Sequence, residues 1–132
     1  MIWKNEYSVN IRQIDIQHKK LVELINDLHE AMSAGKAKDV LEKILGELVA
    51  YTKFHFSKEE ELMEMAGYPG LLHHRLKHKE LTGKVFQFQS DYHAGKFSIS
   101  IEVMSFLKDW LINHIQKIDK EYGPFLNSHG IK

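Results

Sequence analysis

The sequence contains no cysteine, which removes disulfide bridges, iron–sulfur clusters and thiolate zinc sites from consideration at once, while leaving the compartment open. An excess of one charge is missing too. Its 18 Lys plus Arg balance 18 Asp plus Glu, and no block of like charge stands out, so neither nucleic acid nor an anionic membrane surface is favoured as a partner. No apolar run approaches the ~18 residues of a membrane span. The start, MIWKNEYSVN, carries charges where a secretion signal needs an apolar stretch. The expectation is a cytoplasmic protein with no membrane span, acting on a small ligand or a protein partner. Internal repeats, low-complexity tracts and linkers are absent as well. With 132 residues and 43% hydrophobic content, one domain covering 1–132 can bury a sizeable core.

What the chain does have is apolar residues at helical spacing. Ile14, Leu21, Ile25, Leu28 and Met32 make a heptad-like seam that ends at Gly35, with Asp15 placed to cap its start. A second seam runs through Leu41, Ile44, Leu48 and Leu62 to Gly67, with Asp39 as its expected N-cap. The third begins near Pro69 or Gly70 and passes Leu71, Leu81, Val85, Phe88 and Tyr92 before Gly95. The fourth carries Val103, Leu107, Trp110 and Ile118, closed by Gly123 and Pro124. These seams predict helices over about 14–34, 39–65, 69–93 and 99–122, joined by short loops. The simplest packing is an all-α antiparallel up-and-down four-helix bundle. Tyr7, Val9 and Ile11 alternate with polar residues, which predicts an extended N-terminal arm over about 1–13. A bundle with its own core needs no second copy, so a monomer is expected.

Nine histidines stand in this short chain, and their positions decide what they mean. His18 fills the gap between Ile14 and Leu21; His55 and Glu59 lie on the second seam, His74 and His78 on the third, and His114 follows Leu107 and Trp110 on the fourth. Both paired sets are four residues apart, so each aims two side chains at one point beside its helix. A single core histidine is usually satisfied by a hydrogen bond. Five, with a carboxylate, would each cost on the order of 1–3 kcal/mol if left unpaired, and metal ligation satisfies them together. His29 and His93 fall near helix ends, His73 is one residue off its seam and His129 lies in the tail, so these four read as surface residues. Imidazole suits zinc, copper, iron and nickel, and bridging carboxylates favour a pair of iron or manganese ions. With Asp119 as a second carboxylate, seven ligands suit a dinuclear centre with an open position.

The motifs IDIQH at 14–18, HFSKEE at 55–60, GYP at 67–69 followed by HRLKH at 74–78, and HIQKID at 114–119 are together highly specific. On them the chain resembles the single-domain bacteriohemerythrins over essentially its whole length. The resemblance implies two iron ions with an oxo or hydroxo bridge, binding dioxygen reversibly. It implies that His74, His78 and His114 hold one iron (iron A), that His18 and His55 hold the other (iron B) with one vacant position, and that Glu59 and Asp119 bridge them. Leu111 and Ile115, flanking His114, are candidates for an apolar wall lining the oxygen pocket; ordinary core packing explains them equally well. The implied protein is a binder rather than an enzyme, serving storage, delivery or sensing, with an oxygen-consuming protein as one conceivable recipient. Nitric oxide or peroxide chemistry, or iron handling, on the same fold is the alternative. A ferritin-like oxidase is disfavoured because the chain lacks any Glu-x-x-His pair.

His114 and Asp119 are five residues apart, an offset of roughly 140° on a regular helix. Sharing a site requires one extra residue, accommodated as a single-turn π-bulge, unless Asp119 lies across the bundle end. The seam supports a bulge, because Tyr122 and Leu126 continue from Asp119 at three and four, where the original register demands Lys117 and Glu121.

Overall fold

A computed structural model describes residues 3–36, 38–95 and 101–132, the side chains at 101–104 and 117–119 excepted. Apolar residues three and four apart fold into α1 (Arg12–Ser33), α2 (Lys38–Ala66), α3 (Leu71–His93) and α4 (Ile101–Asn113), which make the expected antiparallel bundle. α1 packs against α2 and α4, and α2 against α3. Sharp stops make the reversals possible. Gly35 adopts φ +66° just past α1, and the amide of Lys36 reaches back to the carbonyl of Ala31 at 3.0 Å. Gly67 does the same for α2 at φ +69°, with Tyr68 N–H on the Met63 carbonyl at 2.9 Å. Both are the left-handed closures for which glycine carries no Cβ penalty.

The core is divided into two apolar clusters. One contains Leu21, Ile25, Leu28, Leu48, Phe56, Val85, Leu107, Trp110, Leu111 and Ile115. The other gathers Val9, Ile11, Ile14, Met63, Tyr122 and Leu126. Each fully buried aliphatic side chain contributes roughly 1.5–3 kcal/mol. His18 lies in sequence between Ile14 of one cluster and Leu21 of the other, and Glu59 between Phe56 and Met63. The polar residues therefore form a layer between two hydrophobic blocks.

Several local expectations change. Asp15 is not the cap of α1, whose N-cap is Ile11. It lies a turn inside and accepts hydrogen bonds from Ser8 Oγ at 2.5 Å and Val9 N–H at 2.9 Å, tying the arm to the helix. Asp39 lies within the first turn of α2, where the helix dipole favours a carboxylate, because the helix starts one residue earlier at Lys38. Of the two expected starts of α3, Gly70 is its N-cap and Pro69 precedes it in the turn. The second seam passes through Met63, fully buried, in place of half-buried Leu62, since Met63 is one full turn beyond Glu59.

The arm alternates as expected, burying Tyr7, Val9 and Ile11. It is not uniformly extended, because a 3-10 turn occupies Asn5–Tyr7. Beyond the fourth helix the chain does not stop at Gly123 and Pro124. Proline in the first turn is compatible with a helix start, and Gly123–Ser128 form a short α5. That helix holds the arm from the other side: Asn127 Nδ2 donates to the Asn10 carbonyl at 3.0 Å, and a Cβ on Gly123 would stand 3.0 Å from the Val9 carbonyl. Replacing Asp15 by Ala removes the shared acceptor for Ser8 and Val9. The expected result is a loss of about 1.5–3 kcal/mol in urea unfolding, the range for hydrogen bonds to a charged group.

Candidate metal centre

Each helix delivers its histidine to one level of the bundle. His18 comes from α1, His55 and Glu59 from successive turns of α2, His74 and His78 from successive turns of α3, and His114 from the position directly after α4. None is more than 2% exposed. Glu59 is the point on which they converge. Its Oε1 is 3.5 Å from His18 Nε2, 3.2 Å from His114 Nε2 and in close contact with His55 Nε2, while its Oε2 is 3.3 Å from His78 Nε2. Two donor groups result, His18 with His55, Glu59 and His114, and Glu59 with His74 and His78. In each, one ligand atom per residue lies within 4.8 Å of the others, and Glu59 belongs to both.

His114 thus falls with His18 and His55, whereas the motif pattern grouped it with His74 and His78. Its ring is central: the centroid is 5.4 Å from that of His78, 5.6 Å from His55 and 5.8 Å from His18. His29, His73, His93 and His129 are exposed, as expected. Leu111 and Ile115 are fully buried in the larger apolar cluster.

The electrostatics favour positive charge in this layer. Burial alone pushes the Glu59 carboxyl up, but the charges of His55 and His114 and hydrogen bonds from His114 and His18 hold it well below the usual carboxylate range. His55 Nδ1–H donates to Gln17 Oε1 at 2.7 Å, and His78 Nδ1–H to Glu60 Oε2 at 3.1 Å. Positive charge beside Glu59 is what keeps it ionised; where the His55 or His78 ring is neutral, that tautomer leaves Nε2 as a lone pair facing the carboxylate. Lone pairs confronting an anion need a positive charge between them. Protons cannot supply it throughout, because imidazolium rings 5–6 Å apart repel by about 3 kcal/mol per pair even at an effective dielectric of ~20. Metal ions can. Five imidazoles and a buried carboxylate fit a borderline transition metal, and the fixed Nδ1 partners are those that ligating histidines require.

The fourth helix carries the distortion that the spacing predicted. Past Asn113 the backbone opens into a π-helical turn, His114–Ile118, then tightens into a 3-10 turn, Asp119–Glu121. The seam resumes one position late, with Tyr122 and Leu126 fully buried and Glu121 exposed. This register brings position 119 toward the face occupied by His114. The side chain of Asp119 lies outside the described residues.

The hemerythrin HHE cation binding domain matches residues 9–126. The chain belongs to the hemerythrin family. It is 35% identical to a bacteriohemerythrin of Methylococcus capsulatus across 93% of each chain, and 37% identical to one of Pseudomonas aeruginosa across 92% of this chain and 78% of the other. A crystal structure of wild-type hemerythrin superposes with TM-score 0.89 at 35% identity, covering 96% of this chain and 97% of that one. The hemerythrin fold here includes residues that the seams did not reveal. Gln17 precedes His18 in sequence but braces His55 on the neighbouring helix, and Phe56 stacks on His78 at 4.0 Å and 4°. Their adjacency to ligand-type residues was the available signal; their partners on other helices were not readable.

Metal removal provides a direct check. Because the donor set spans all four helices, metal at about 1,000 times its dissociation constant should stabilise the fold by about 4 kcal/mol, and chelation should reverse this. Acidification should release the metal as the imidazoles protonate. It should also remove the contribution of Glu59, whose depressed folded-state value makes its stabilisation present at neutral pH and lost as pH falls through that value. Calorimetric melting with and without zinc, from neutral to acid pH, reads both effects.

Proposed function

We propose that this hemerythrin binds dioxygen reversibly at a di-iron centre held by His18, His55, Glu59, His74, His78, His114 and Asp119. The observation that carries the reading is Glu59, a buried carboxylate with one oxygen among His18, His55 and His114 and the other against His78. A carboxylate shared by two histidine groups suits a bridge between two ions. By the family pattern His74, His78 and His114 would hold one iron, although the His114 ring lies about as near His55 as His78. His18 and His55 would hold the second and leave it a vacant position. Glu59 and Asp119 would bridge the pair, with an oxo or hydroxo group as third bridge.

The iron pair, when bound, supplies the electrons that hold dioxygen. The chain's own residues determine that binding, and not substrate attack, is the outcome. Neutral imidazoles donate without adding negative charge, so highly oxidised metal states are stabilised less than in carboxylate-rich sites. Leu111 and Ile115 are fully buried beside His114, and as an apolar wall they would slow the water and protons that convert bound oxygen to a released product. Family membership and the absence of Glu-x-x-His pairs weigh against an oxidase. The oxygen would go to storage or to an oxygen-consuming protein.

The test is optical. The iron-loaded protein is reduced without air, exposed to air and then evacuated. A visible charge-transfer band that appears and disappears reversibly is expected, and irreversible conversion to the fully oxidised spectrum would overturn the reading. His55→Ala should abolish the band. Leu111→Ala should shorten the oxygenated lifetime severalfold, with a stability loss of about 2–5 kcal/mol from the cavity it leaves.

A further inference from the structure

We infer that Glu60 is a positioning residue for the centre, acting through His78. The inference deepens the proposed function and rests on it only in taking His78 as a metal ligand. Glu60 follows Glu59 in the chain but projects outward, with a side chain 24% exposed. Its Oε2 accepts the Nδ1–H of His78 at 3.1 Å, and its Oε1 accepts the Nε–H of Arg75 at 3.2 Å. Arg75 Nη2 continues to Glu64 at 3.4 Å. Glu60 and Glu64 are one turn apart on α2, and Arg75 and His78 nearly one turn apart on α3, so the four residues form a ladder between the helices. The ladder borders a surface cleft of about 810 Å³ whose lining includes Phe56, Glu60, Arg75 and His78.

Two constraints therefore act on the His78 ring. Phe56 fixes its plane by stacking, and Glu60 fixes its tautomer, leaving the Nε2 lone pair on the side of Glu59. A carboxylate acceptor also draws the Nδ1 proton and enriches the ring in electrons, which strengthens Nε2 as a donor. His55 has a neutral amide, Gln17, in the corresponding place. Among the described contacts, the Nδ1–H of His78 thus meets a charged acceptor and that of His55 a neutral one. A metal ion held by His78 would for that reason be favoured in its higher oxidation state.

Glu60→Ala and Glu60→Gln separate positioning from simple packing, because the amide can still accept the Nδ1–H while lacking the charge. In metal-free protein, nitrogen-15 NMR should find His78 protonated at Nδ1 in the wild type and E60Q, and in mixed tautomers in E60A. Zinc titration should show one site weakened about 10–100-fold in E60A and largely restored in E60Q. In the iron-loaded protein, E60Q should raise the midpoint potential relative to wild type. If E60A lowers only the melting temperature, with the His78 tautomer and zinc affinity unchanged, or if E60Q leaves the potential unmoved, the inference is wrong. Should the tautomer, zinc and potential results hold while iron-loaded wild type shows no reversible band, the oxygen-binding reading fails and the role of Glu60 stands.

Discussion

The structure depends on a single carboxylate. Glu59 lies in the middle of a four-helix bundle with imidazole nitrogens on both of its oxygens, and an isolated anion at that depth would cost several kcal/mol. Everything around it answers that cost. Four helices each place a histidine at its level, apolar clusters close the layer above and below, and Gln17 and Glu60 orient two of the rings from outside. The layer is expensive as protein alone and coherent as a cage for cations, which is why fold and metal chemistry have to be explained together.

The outer residues give the short motifs a physical reading. In IDIQH, Ile14 packs in the core, Asp15 holds the arm, Ile16 faces out, Gln17 braces His55 and His18 enters the cluster. In HFSKEE, Phe56 stacks on His78, Glu59 lies at the centre and Glu60 orients the ring from the far side. A motif of five or six residues is therefore in part a contact map between helices, several of whose members act on a side chain carried by a different helix.

This explains what the sequence could and could not disclose. The four long helices, the histidines of the polar layer and the opened turn after Asn113 were legible, because each is a statement about spacing along one helix. The extra step between His114 and Asp119 was visible as a shift of seam onto Tyr122 and Leu126. Pairings between helices were not legible. Asp15 looked like a cap because a carboxylate near a helix start usually is one, and only the folded chain brings Ser8 and Val9 back to it. The short α5 was hidden because Gly123 and Pro124 read as a stop; proline ends one helix and begins another with equal ease. Glu60 gave no periodic signal, since its partners His78 and Arg75 belong to α3.

The opened turn at His114–Ile118 places stability and use in opposition. A regular α-helix through the same residues would have better backbone bonding, so a search for thermostable variants that idealises helices would favour closing the turn. Yet every residue beyond it, including Tyr122, Leu126 and the α5 segment that holds the arm, is set in a register that exists only because the turn is open. One irregular turn therefore fixes the rotational phase of the chain's last segment, and ironing it out would turn the polar face of that segment toward the core.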